Sequence, residues 1–142
     1  MKILVLAIGR LKEDYWKAAE AEYLKRLRRF ADVEVREVKD EAALVKALPA
    51  RRRTILLDER GECWTSDELA ERLVALEEQH GGGRTLVLVI GGAEGVSPAL
   101  RQEADQAIAF GRITLPHRFA RVLLVEQLYR AFSILRGEPY HK

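Results

Sequence analysis

The sequence predicts an α/β fold, a mostly parallel five-stranded sheet with helices on both faces. Strand-like and helix-like hydrophobic patterns alternate along the whole chain. "RTLVLVI" (84–90) is apolar without a break from Leu86 to Ile90, as a strand at the centre of a parallel sheet should be. No repeat, low-complexity tract or linker divides the 142 residues, so 1–142 is read as one domain.

"KILVLAI" (Lys2 to Ile8) reads as a buried strand. From Asp14 to Phe30, Trp16, Ala19, Tyr23, Leu27 and Phe30 recur at spacings of three and four, the period of an amphipathic helix. "VEVREV" (Val33 to Val38) alternates strictly and predicts a strand with one wet face. A short helix over Asp40 to Leu48 is stopped by Pro49. "TILLD" (Thr54 to Asp58) is the third strand. The next helix opens on Thr65 and Ser66, carries acids in its first turn, and ends in glycines, with His80 as a C-terminal cap.

After the central strand, Ser97-Pro98 marks a helix start with proline at the first helical position. "AIAFGRITL" (Ala107 to Leu115) predicts a fifth strand broken at Gly111. The last helix runs from about Arg118 to Leu135 and is apolar nearly all round. Val122, Val125, Tyr129 and Phe132 form one side, and Leu124, Leu128, Ala131 and Leu135 another. One face can cover the sheet; the second calls for a partner, and a twin subunit is the economical choice. Glu126 and Arg130, four apart, are placed to pair.

A hydrophobic share of 48% with 32% charged residues suits a globular protein. No apolar run approaches the roughly 20 residues a membrane span needs. The start lacks a small-residue cleavage site and runs into a charged helix, so it reads as a strand rather than a signal peptide. Cys63 stands alone, which excludes an internal disulfide and a cysteine-based metal site. An inert thiol, no metal and a cytoplasmic location are the expectations. Charge is uneven. Residues 1–53 hold 14 Lys/Arg against 9 Asp/Glu, 54–111 hold 4 against 11, and 112–142 hold 6 against 2. Two basic ends, with "KRLRR" (Lys25 to Arg29) and "RRR" (Arg51 to Arg53) densest, are compatible with a polyanionic partner.

The loop "VIGGAEGVSP" (Val89 to Pro98) follows the central strand, where ligands bind in such folds. It fits neither phosphate pattern: no Lys follows Gly95, and Ile90 takes the place of the first glycine of a dinucleotide fingerprint. Glu94 would repel a polyphosphate and suits hydroxyls, an amino group or a cation. Alternatively, Gly91, Gly92 and Gly95 only form a tight strand-to-helix turn. In "ITLPH", Pro116 holds the preceding backbone extended, so its exposed amides and carbonyls could read the edge of a flat heterocycle. The terminal "PYHK" offers a ring, an imidazole and a cation: a disordered tail, or a nucleobase clamp with stacking of about 1–3 kcal/mol per base.

"LVIGGAEGVSP", "ITLPHRFARVLLVEQLYRAFSI" and "PYHK" closely resemble the ribosomal RNA large-subunit methyltransferase H family, of the SPOUT class. The resemblance spans essentially the whole chain, including "LAIGRLK", "YLKRL" and "LDERGECWTSDELA". It implies methylation of N3 of a pseudouridine in 23S rRNA of the assembled ribosome, by a homodimer using S-adenosylmethionine. It also implies a deep C-terminal trefoil knot, a rare exception to unknotted topology. Carried over by motif, the cofactor contacts would be Leu57, Gly91, Gly92, Ile113, Thr114, Leu115, Pro116 and His117. Tyr140 and His141 would face the target base as catalytic residues. Ala93 stands where relatives often have Pro or Ser, and Lys142 where Arg is common.

The target nitrogen is protonated at neutral pH, so a proton must leave. His141 is the first candidate to help, with His117 the alternative. Glu94 could balance the sulfonium or bind an amino group. Rival readings are a SPOUT enzyme acting on another RNA, a non-enzymatic ribosome-binding module, and a nucleotide sensor; the missing phosphate patterns disfavour the last.

Overall fold

The computed structural model describes residues 1–80 and 83–141, without the side chains of Gln79 and His80. The capping expected of His80, and Lys142, lie outside what is described. The chain runs β1 (Lys2–Ile8), α1 (Asp14–Leu27), β2 (Asp32–Val38), α2 (Glu41–Ala47), β3 (Arg52–Cys63) and α3 (Ser66–His80). It continues with β4 (Thr85–Ile90), α4 (Pro98–Glu103), β5 (Gln106–Ala109), α5 (His117–Leu135) and a 3-10 turn at Pro139–His141. The strands pair in the order β2-β1-β4-β3-β5, and every pairing is parallel.

The side-chain period of two builds both layers from the same strands. Ile3, Val5 and Ala7 of β1, with Leu86, Leu88 and Ile90 of β4, face a core closed by α1, α3 and α5. Leu4, Leu6, Val87 and Val89 face the opposite core, closed by Leu44 of α2 and Leu100 of α4. All six residues of β4 are therefore buried. Ser97 accepts from the Leu100 amide at 3.2 Å and caps α4, with Pro98 at the helix start.

Several boundaries differ from expectation. α1 ends at Leu27 rather than Phe30; Phe30 turns off the helix and stacks on Phe132 at 5.6 Å. β3 continues beyond Asp58 to Cys63 because β5 pairs with it twice, with a register shift between Leu57 and Glu62. Gly61 makes that irregularity feasible: a Cβ there would sit 2.6 Å from the Ala107 and Ile108 backbone. β5 does not reach Leu115 but ends at Ala109. Gly111 adopts φ 111°, a left-handed turn that takes "ITLPH" out of the sheet and straight into α5.

Most of the apolar surface of α5 is covered within the chain, contrary to the argument that its second face needs a twin subunit. Leu124, Val125, Leu128, Tyr129, Ala131 and Phe132 are buried in the core shared with α1 and α3. Phe119 and Leu135 are left exposed. Among the described residues, no helix is long and apolar enough to cross a membrane.

Candidate active site

The carboxyl ends of β3, β4 and β5, with the first turn of α5, enclose a cavity of about 680 Å³. Leu57, Gly91, Gly92 and all five residues from Ile113 to His117 line it. The sheet order explains this convergence. β4 and β3 are neighbours and β5 lies beside β3, so loops leaving their carboxyl ends meet.

The glycine loop is held tight. Gly95 donates to the Gly92 carbonyl at 2.9 Å with φ 76°. A Cβ on Gly91 would lie 2.9 Å from Val96 and 3.1 Å from the Gly95 carbonyl carbon. Glycine is what allows so tight a turn, and it leaves bare backbone along the cavity. Opposite, Ile113, Thr114 and Leu115 take no backbone hydrogen bond among the described residues, so their amides and carbonyls are available. Ile113 is 77% exposed, unusual for so apolar a residue.

Acidic groups surround the same space. Asp58, Glu59 and Glu94 all line the cavity, with Arg60 and Arg101 beside them. Burial pushes the Asp58 carboxyl up, but the Arg60 amide and the Arg101 guanidinium, at 2.7 Å, outweigh it and hold it below its ordinary value. The Thr114 hydroxyl donates to Glu59 Oε2 at 2.7 Å, tying the "ITLPH" wall to the β3 irregularity. Neither Asp58 nor the Glu59–Thr114 link was read from the sequence.

His117 opens α5 on the cavity floor. Both ring nitrogens are buried without a hydrogen-bond partner; the ring lies near the Gly91 backbone, short of bonding geometry. Burial first, and then the charge of Arg121, push the imidazole below its usual value, so it is neutral at pH 7. One turn on, Arg121 is only 2% exposed. Its Nε and Nη2 donate to the two carboxylate oxygens of Glu20 at 3.0 and 2.8 Å, and Nη1 donates to Glu37. Sequence reading passed over this triad. Its one signal was an arginine inside an otherwise apolar helix face.

As far as His141, the tail folds back on the last helix. Gly137 ends α5 with φ 68°, and the Glu138 amide returns to the Ser133 carbonyl at 2.9 Å. Glu138 accepts both Nη groups of Arg29 at 2.9 and 2.6 Å. Tyr140 packs edge-on against Tyr129 at 4.7 Å, under the Arg130 guanidinium. Its hydroxyl lies 3.1 Å from the Tyr23 hydroxyl and 3.2 Å from Glu126 Oε1. Burial, the Tyr23 contact and the Glu126 charge all push its pKa up, so the phenol is neutral. Glu126 also pairs with Arg130 at 2.6 Å, as the spacing predicts. His141 is exposed. Neither Tyr140 nor His141 lines the cavity.

A family model described as "Predicted SPOUT methyltransferase" matches residues 1–141. Among solved structures, "a probable methylase family protein" from Haemophilus influenzae Rd KW20 superposes with a TM-score of 0.61 at 13% identity. It covers 99% of this chain and 70% of that one. TrmJ from Z. mobilis ZM4 gives 0.51, also at 13% identity, over 92% and 70% of the two chains. These two show the fold alone; with the family model they define the class, a SPOUT methyltransferase. A curated relative from Anaeromyxobacter sp. (strain Fw109-5), "Ribosomal RNA large subunit methyltransferase H", is 46% identical and covers 100% of both chains. One of the same name from Chromobacterium violaceum is 40% identical over 100% of this chain and 99% of its own. The chain belongs to the ribosomal RNA large subunit methyltransferase H family.

Proposed function

We propose that the protein methylates N3 of a pseudouridine in 23S rRNA on the assembled ribosome, using S-adenosylmethionine, as a single SPOUT domain over residues 1–142. The observation that carries the reading is the convergence of two loops on one cavity, bare glycine backbone on one side and the unpaired backbone of residues 113–115 on the other.

The residues present fit the cofactor. Leu57, Ile90, Ile108 and Leu115 provide apolar walls for a flat heterocycle, and the free main-chain groups of 113–115 can bond its edge. Asp58, Glu59 and Glu94 supply the negative character a sulfonium and an amino group require. Bound there, S-adenosylmethionine supplies an electrophilic methyl group. The chain's part is mainly position, and holding reactants in a near-attack pose contributes about 7–11 kcal/mol in favourable cases. Gly91, Gly92, Ile113, Thr114, Leu115, Pro116 and His117 would hold the cofactor. The exposed His141 would accept the N3 proton, and Tyr140 would fix the tail in place.

A homodimer is part of this reading. Tyr140 sits beside Glu126, nine residues along α5 from His117, which is about 14 Å of helix axis. A tail so placed serves another protomer's cavity more readily than its own. Tyr15 (67% exposed), Trp16 and Phe119 (43%) form an aromatic patch suited to a partner, with centroids 5.7 and 4.6 Å apart. The trefoil knot and a cytoplasmic location belong to the same proposal; the irregular part of β3 at 58–60 and the loops at 91–96 and 110–117, crowding one cavity, suit a threaded chain.

Calorimetric titration tests the cofactor. S-adenosylmethionine should bind with a dissociation constant in the micromolar range, and ATP and NAD should not bind. Binding of neither S-adenosylmethionine nor its demethylated product would leave the ribosome-binding module as the better reading.

A further inference from the structure

Resting on the cofactor reading above, we infer that Arg121 is a positioning residue for methyl transfer: clamped between Glu20 and Glu37, it sets the first turn of α5 and holds His117 against the cavity.

The triad joins the elements behind the cavity floor. Glu20 lies in α1, Glu37 near the end of β2 and Arg121 in the second turn of α5. Glu37 Oε2 also accepts the Leu11 amide at 3.0 Å, which ties the loop after β1 to the same group. Gly9, in that loop, faces the imidazole: a Cβ there would lie 3.8 Å from His117 Nε2. His117 and Ala120, both lining the cavity, flank Arg121 on its N-terminal side. One guanidinium thus fixes α5 relative to α1, β2 and the β1–α1 loop.

Stability alone does not account for it. Burying three charges carries a desolvation cost, and apolar replacements of such triads are often neutral or stabilising. A five-donor planar fork does supply fixed geometry, which a packed apolar patch supplies less well. The group it fixes has something to hold: both His117 nitrogens are buried and unbonded, an unfavourable arrangement that the surroundings must impose. Two carboxylates against one guanidinium also leave the cluster net negative behind a floor meant for a cationic ligand.

Two variants test this in the full chain. Glu37→Gln keeps the Leu11 acceptor and is conservative at a side chain 34% exposed. The apolar set Glu20→Met, Arg121→Met, Glu37→Gln removes the triad without leaving a buried unpaired charge. Both are expected to stay folded by circular dichroism, to bind S-adenosylmethionine at least threefold and tenfold more weakly respectively, and to raise the KM for cofactor more than they lower kcat. The imidazole proton resonance of His117 should titrate lower in Glu37→Gln, which loses the favouring carboxylate, and higher in the apolar set, which loses that carboxylate and also the larger opposing effect of the guanidinium. Arg121→Lys should not restore affinity. Folded variants with unaltered cofactor affinity and unmoved His117 titration would overturn the positioning role while leaving the methyltransferase reading intact. If the unaltered protein itself fails to bind S-adenosylmethionine, the cofactor reading fails instead. Should the apolar set not fold, Glu37→Gln decides alone.

Discussion

Tyr140 and Glu126 hold the end of the chain to the last helix: the phenol lies 3.2 Å from a carboxylate that Arg130 also grips at 2.6 Å. Tyr140→Phe should therefore lower stability by about 1 kcal/mol, the usual worth of one such bond, and lower Tm accordingly. Deleting Tyr140 to Lys142 should leave S-adenosylmethionine affinity within twofold while ribosome methylation collapses. Full methylation by the truncated protein would remove the tail from the reaction.

His117 gives the fold a pH dependence whose sign is fixed. Its folded pKa lies below the ordinary histidine value of about 6.5, so the unfolded chain binds more protons below about pH 6.5. Stability should fall as pH drops through that window and be indifferent to His117 above it. Glu37 and Asp58, both held below their ordinary values, lose their contributions only lower, as pH falls below about 4.5. Denaturant melts of His117→Gln should show a flatter dependence between pH 6.5 and 5; an unchanged slope contradicts the assignment.

Gly61 is where a single methyl group does most harm. Its Cβ would meet backbone of Ala107 and Ile108 at 2.6 Å, atoms that cannot rotate away. Gly61→Ala should cost about 1–3 kcal/mol, as overpacking does, and weaken cofactor binding by shifting the wall that follows β5. A denaturation midpoint equal to that of the unaltered protein would show that β3 and β5 are not held so closely.

The basic cluster at the end of α1 divides into two jobs. Arg26 pairs with Glu22 and Arg29 with Glu138, whereas Arg28 is exposed with no ion pair among the described residues. Arg28→Glu should weaken ribosome association and flatten its salt dependence, leaving cofactor binding alone. Arg29→Glu should do the same and also loosen the tail. Sedimentation with ribosomes across salt concentrations separates them; indifference to Arg28→Glu would move the RNA face elsewhere.

Much of this was legible in residue order. Periodicity marked β1, β2, β4 and α5, since burial on one or both faces leaves its pattern in the apolar residues themselves. The glycine loop and "ITLPH" were legible because their chemistry lies in backbone freedom, which Gly and Pro advertise. What escaped was non-local. The β3 irregularity depends on Gly61 meeting β5, and the end of β5 on a positive φ at Gly111. Arg121 finds Glu20 101 residues away and Glu37 84 away; on the sequence the two acids look like ordinary surface charges, and only the arginine's place in an apolar helix stands out. The tail read equally as disordered or clamped, because its anchors, Tyr23 in α1 and Arg29 just after it, are more than a hundred residues away.

The most direct test is methylation of the substrate itself. Ribosomes from cells lacking the protein should be incubated with it and isotopically labelled S-adenosylmethionine, and the 23S rRNA digested for mass spectrometry. The account predicts one labelled methyl group, on N3 of a single pseudouridine, in assembled ribosomes. Label on another RNA or another atom, or none in 23S rRNA, would contradict it.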